Sequence, residues 1–265
     1  MPTRALSIAA LGMSAQQKTV DNIANNLANV NTTGFKRSNI AFQDLFYQNV
    51  EISKRGSSAN QQSRSASQLQ LGHGSKPVAT VRNFSQGSLT ETANPLNIAI
   101  NGTGFLQVEM PDGSVAFTRD GNLSLDSSGR VVTQSGLPLA DFIEIPENTQ
   151  SLNISKEGFI TAQLDGDGGI IDLGQIELAK FINNSGLTAM GDNLFSQTEA
   201  SGQPFFGLPG SDGFGTIEQG FLEHSNVDIV SEMVNLIQAQ RAYETNSKMV
   251  QTTEDMMAMT NSIKR

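Results

Sequence analysis

Apolar side chains in the first thirty residues return with a helical rhythm. Leu6, Met13, Val20 and Leu27 fall at every seventh position, and Ala9, Gln16, Ile23 and Val30 follow each of them by three. That spacing draws one narrow apolar stripe along a long helix, the a and d rows of a heptad. The run ends at Asn31-Thr-Thr-Gly34, where glycine can take the left-handed conformation that closes a helix without a Cβ clash. The opposite face carries Asn22, Asn25, Asn26 and Asn29, amides suited to hydrogen bonds with other chains. The last forty residues repeat the pattern: Ile229, Leu236, Tyr243, Val250 and Met257 are again seven apart, behind Ser225-Asn226 and Asp228 as N-capping residues. Met233, Ile237, Ala242, Met249, Met256 and Ile263 broaden that stripe, while Ala239, Asn246, Thr253 and Thr260 form a small or polar row. Neither helix has apolar sequence neighbours to cover it, so the two are expected to pair with each other.

Between the helices the period shifts from helical to alternating. Turn pairs recur at Asn94-Pro95, Asn101-Gly102, Asp112-Gly113, Asp120-Gly121, Ser128-Gly129 and Glu157-Gly158, with short alternating runs such as Leu96-Asn-Ile-Ala-Ile100 between them. Residues 48–72 fit neither pattern. Their Ser and Gln content predicts a flexible linker in the free monomer. The expected fold is therefore mixed: long N- and C-terminal α-helices paired as a coiled coil, with an inserted all-β domain of short strands and hairpins. The expected division is 1–35 with 225–265 as paired helices, 36–75 as extended linker and 76–224 as β-rich outer domain.

Composition narrows the chemistry. The 265 residues carry a net charge of -9, which argues against nucleic acid as the main partner because phosphate binding needs clustered Lys and Arg. There is no cysteine and there are two histidines, His73 and His224, too few for a His/Cys zinc cluster or a well-supported Ser-His-Asp triad. Asp165-Gly-Asp-Gly-Gly169 imitates the start of a calcium loop, but Ile176 stands where the bidentate Glu is needed, and a β-turn is the better reading. No catalytic residue, cofactor or metal is expected. The apolar run Ala5–Leu11 breaks off too early for a secretory signal, and no segment has the length for membrane insertion.

One run is more specific. Ala24-Asn25-Asn26-Leu27-Ala28-Asn29-Val-Asn-Thr-Thr-Gly34-Phe35-Lys36 resembles the signature of flagellar rod and hook proteins. Further matches are Gly102-Thr-Gly-Phe-Leu-Gln-Val108, Phe117-Thr-Arg-Asp-Gly121, Gln219-Gly-Phe-Leu-Glu-His-Ser-Asn-Val-Asp228 and Glu232–Lys248. Phe42–Gln48 with the polar stretch after it is most similar to the distal-rod branch, with Tyr47, Gln48, Lys54, Arg55 and Arg64 in the rod-type segment. The resemblance implies a helical homo-polymer in the basal body, a rigid hollow shaft crossing the periplasm, exported by the flagellar type III apparatus without a cleaved signal peptide. It also implies neighbours: proximal rod proteins, the hook protein, the rod cap, and the P-ring and L-ring proteins. A proximal rod or hook subunit is the nearest alternative, and a secreted β-rich binding module a remoter one.

Overall fold

The computed structural model describes residues 2–51, 68–141, 143–165 and 169–263. Two helices bracket the chain, α1 at Pro2–Ala28 and α2 at Ile229–Ile263, and all the strands lie between them. The chain divides into two compact units: residues 1–25, 38–81 and 230–265 form one, and 26–37 with 82–229 form the other.

In the first unit α1 and α2 run antiparallel. A Cβ on Gly12 would lie 2.9 Å from the Asn246 amide nitrogen, and Val20 and Tyr243 line one groove. Two ribbons accompany the helices, Ser38–Asp44 with Ser75–Arg82 and Gln48–Glu51 with Gln68–Leu71. The second ribbon is antiparallel, with Gln48 opposite Leu71. The outer parts of residues 48–72 are thus paired strand, where composition predicts a flexible linker. Lys54, Arg55 and Arg64 lie outside the described residues.

The coiled-coil expectation is overturned. A coiled coil buries its apolar a and d rows in the facing helix, yet Leu6, Met13, Val20 and Leu27 are only half-buried and Ile229 and Tyr243 are exposed. The positions of α2 that are buried are Glu232, Ala239 and Thr253, in the row that contains Asn246. That row stands three residues after each predicted seam residue, so it adjoins the seam, turned about 60° round the helix from it. Small and polar groups therefore occupy the covered side, while Val230, Met233, Val234, Ile237, Met249, Met256, Met259 and Ile263 remain exposed.

The second unit is an antiparallel β body. Its central sheet has the spatial order Thr188–Gly191, Leu194–Ser196, Val115–Thr118, Leu106–Glu109. A three-stranded sheet follows in Thr149–Ile154, Phe159–Leu164 and Ile170–Gln175. The first and last strands of the unit pair with each other: Leu89–Glu91 with Phe221–Glu223, and Ile98–Asn101 with Thr216–Gln219. An aliphatic core gathers Ile98, Ile100, Leu106, Leu123, Ile160, Leu178 and Ile217. Beside it Phe105, Phe117, Phe181 and Phe195 pack edge to face, the closest pair being Phe117 and Phe181 at 4.8 Å. These clusters hold the short strands, none of which has the length to be stable alone.

Glycine is required where the backbones touch. Gly113, Gly129 and Gly158 turn three hairpins at positive φ. Gly121 adopts no such angle but lies so close to the Ile98 carbonyl that a Cβ would collide with it.

Candidate assembly surface and the signature turn

The signature run leaves the helix and becomes a turn. α1 ends at Ala28, and carbonyls of Asn26, Leu27 and Asn29 accept from the amides of Asn29, Val30 and Thr32 as the chain unwinds. Val30 therefore lies beyond the helix on which its spacing put it. Gly34 stands at φ 67°, and a Cβ there would lie 2.7 Å from the Asp120 amide nitrogen, so both torsion and space demand glycine. Thr33 Oγ1 donates to Asp120 Oδ1 at 2.8 Å and the Asn193 amide donates to the Thr33 carbonyl at 2.9 Å. Asn26 and Phe35 are buried; Ala24, Asn25 and Ala28 are exposed. Asn22 spends its amide inside the chain, donating to the Ser38 carbonyl at 2.7 Å and accepting from Ser38 Oγ at 2.7 Å.

Immediately after the turn lies a group of buried charges. Lys36 Nζ is 2.6 Å from Glu223 Oε1, and Arg119 Nε is 2.9 Å from Glu223 Oε2. All three side chains are shielded from water, at 0, 1 and 4% exposure for Lys36, Glu223 and Arg119. Further hydrogen bonds surround the group: the Gly87 amide donates to Glu223 Oε1, Lys36 to the Ser85 carbonyl, and the Arg119 fork to the carbonyls of Ile100, Gly102 and Gly104. Burial alone would raise the Glu223 pKa, but the charges of Arg119 and Lys36, with the hydrogen bonds, bring it below the usual carboxylate range. Burial, reinforced by the Arg119 charge, lowers Lys36 despite its carboxylate partner. Next to it the Gly34 amide donates to the Glu223 carbonyl and Asn226 Oδ1 accepts from the Arg37 amide. Two segments of the β body that each precede a point where the chain leaves it are thereby tied together.

The helical candidates divide by environment. Ile23 is buried; Leu6, Met13, Val20, Leu27, Leu236, Val250 and Met257 are half-buried; Ile229 and Tyr243 are exposed. On the ribbon, Gln48 accepts from Arg4 at 3.3 Å, and Tyr47 is exposed. His73 faces the Phe46 carbonyl through Nδ1 at 2.9 Å, in the short connection between Gln68–Leu71 and Ser75–Arg82. Among the described residues no group of three metal-ligating side chains converges, and no helix is long and apolar enough to cross a membrane.

Three family models match the chain: the flagella basal body rod protein model over residues 6–36, the flagellar hook protein FlgE/F/G D1 domain over 99–162, and the flagellar basal body rod FlgEFG protein C-terminal model over 218–263. The flagellar basal-body rod protein FlgG of Borreliella burgdorferi is 47% identical over 264 residues, 99% of each chain. FlgG of Caulobacter vibrioides is 44% identical over 262 residues, 98% of this chain and 99% of the relative. FlgF of the same organism reaches only 34%, over 93% of each, which separates the two branches within one set of flagellar proteins. On these grounds the chain belongs to the flagellar basal-body rod protein family, in its FlgG branch.

Proposed function

We propose that this structural subunit of the flagellar distal rod polymerises by burying the apolar side of α2 against neighbouring copies. The observation that carries the reading is the exposure of Val230, Met233, Val234, Ile237, Met249, Met256, Met259 and Ile263 along one 35-residue helix. A soluble monomer seldom leaves so many large apolar groups in water, and a repeated contact supplies the missing cover. Methionine suits such a surface because its flexible thioether adapts to slightly different neighbours. The role is non-catalytic, in keeping with relatives named as rod proteins. Proximal rod proteins, the hook protein, the rod cap, the P-ring and L-ring proteins and the type III export apparatus are the proposed partners, and the periplasmic stretch of the basal body the proposed place of work.

Residues 1–35 and 225–265 are proposed as the assembly core, 36–75 as the rod-type connection and 76–224 as the outer body. Ile237→Asp tests the reading. Ile237 is 49% exposed, so the substitution should leave monomer stability within about 0.5 kcal/mol. Concentrated samples viewed by electron microscopy should lose their polymers. Filaments that form as in the unaltered protein would refute it.

A further inference from the structure

Phe46 is the most exposed large apolar side chain among the described residues, at 91%, and its neighbour Tyr47 is 57% exposed. A loose loop would explain this trivially, but the backbone here is fastened on both sides. The Leu45 amide donates to the Gly74 carbonyl at 2.8 Å, and His73 Nδ1 donates to the Phe46 carbonyl at 2.9 Å. Arg4 on α1 donates to Gln48 Oε1 and to the carbonyls of Leu71 and Gly72, closing the base of the ribbon. Two glycines let the pieces meet: a Cβ on Gly72 would be 3.4 Å from the Tyr47 ring, and one on Gly74 3.6 Å from Leu11. The result is an aromatic knob on a rigid mount, whose ordering cost has been met before any partner arrives.

The same unit carries a hole. A groove of about 380 Å³ is lined by Gln17 and Val20 of α1 and by Gln240, Tyr243 and Glu244 of α2. Val20 is half-buried and the other four are exposed, so an apolar wall and an aromatic ring sit among amides and one carboxylate. Its size falls in the range that accepts a ring-sized group. At 91% exposure the knob of a chain cannot be lodged in that chain's own groove.

We infer that Phe46 of one copy inserts into the Val20–Tyr243 groove of a second copy. This inference rests on the polymer reading above. Knob and hole are different patches of one surface, so the contact is heterologous and each added chain offers a fresh hole to the next. That every chain supplies both halves is why a second copy, rather than an unrelated protein, is the occupant. One ring buries too little to hold two free chains against their lost translational freedom, so the contact forms only where α2 already gathers copies, and isolated chains keep Phe46 in water.

The chain has no cysteine, so a pair of single-cysteine chains reports the contact. Full-length Y47C chains, which keep the Phe46 ring, and Q240C chains are mixed, polymerised and treated with a short bismaleimide. The expected result is a cross-linked dimer joining one chain of each kind in the polymer, absent from the same mixture held below its assembly concentration. In parallel, F46A should raise the critical concentration at least about tenfold, the scale of a buried aromatic anchor. Polymers that form without the mixed cross-link, or an F46A chain that assembles at the unaltered concentration, overturn the knob and leave the rod reading standing. An unaltered chain that never polymerises defeats both.

Discussion

Removing the Glu223 carboxylate should be the most damaging single truncation in the β body. In E223A, Lys36 and Arg119 lose the anion held at 2.6 and 2.9 Å, and both cations stay buried. Deleting one partner of a buried ion pair costs about 3–5 kcal/mol, because the desolvation of the remaining charge is no longer offset. For a body of this size each kcal/mol moves the melting midpoint by about 2–4 °C, so a fall of roughly 6–20 °C is expected. K36M is the control. It leaves Glu223 with Arg119 and the Gly87 amide, and the Ser85 carbonyl still accepts from Asn226. Its cost should be smaller, about 1.5–3 kcal/mol, that of a hydrogen bond to a charged group. Guanidinium titrations of both variants, followed by circular dichroism, supply the two numbers. A K36M chain as unstable as E223A would refute the asymmetry, and with it the claim that the carboxylate is the centre of the group. The pH dependence offers a second check. The folded pKa of Glu223 lies below its unfolded value, so its stabilisation is present above about pH 4.5 and disappears as pH falls through the folded value. The gap between the unaltered protein and E223Q should therefore be wide at pH 7 and shrink as pH falls below about 4.5.

Asp141 behaves in the opposite sense. Burial, with a smaller contribution from the Glu177 charge and against a hydrogen bond from the Glu177 backbone, raises it to about 6. Stability from its protonated form is fully present below the unfolded value of about 3.8 and is lost as pH rises through about 6. D141N should therefore stabilise the β body by about 1–3 kcal/mol at pH 7.5 and by little at pH 4, as read from urea midpoints. An equal effect at both values would count against it. Gly34→Ala should cost more than about 1 kcal/mol, since the residue is held at φ 67° with the Asp120 backbone 2.7 Å from any Cβ. Thermal melts decide that case, and an unchanged midpoint would mean that the turn can relax.

Much of the fold was legible in the sequence for local reasons. Two heptad runs announce two helices, and pairs such as Asp112-Gly113 and Glu157-Gly158 mark hairpins because glycine tolerates positive φ most readily; Gly113 and Gly158 stand at 79° and 84°. Helix pairing was not legible in the same way. A heptad states which side of a helix is apolar, but not whether that side meets its own chain or another. Here Ala239, Asn246 and Thr253, the row that looks least like an interface, lies on the side turned inward. The charge group was hidden for a different reason. Lys36, Arg119 and Glu223 are far apart in sequence, and only the folded chain brings them together. Each falls inside a run shared with the rod family, so the sequence held the residues while their common purpose needed three dimensions.

The tied neck of the β body also suits it to surgery. Lys36 and Arg37, where the polypeptide first leaves the body, are fastened to Glu223 and Asn226, a few residues before it leaves for the last time. The distance between these two exits is consequently set at the neck and does not depend on what the loops carry. The Asp112–Gly113 bend, closed by the Gly113 amide on the Met110 carbonyl and with open space beside Gly113, could be spliced to hold a fluorophore or an affinity peptide. A cargo placed there would ride outside the fastening, and the gauge of the emerging strands would stay the same.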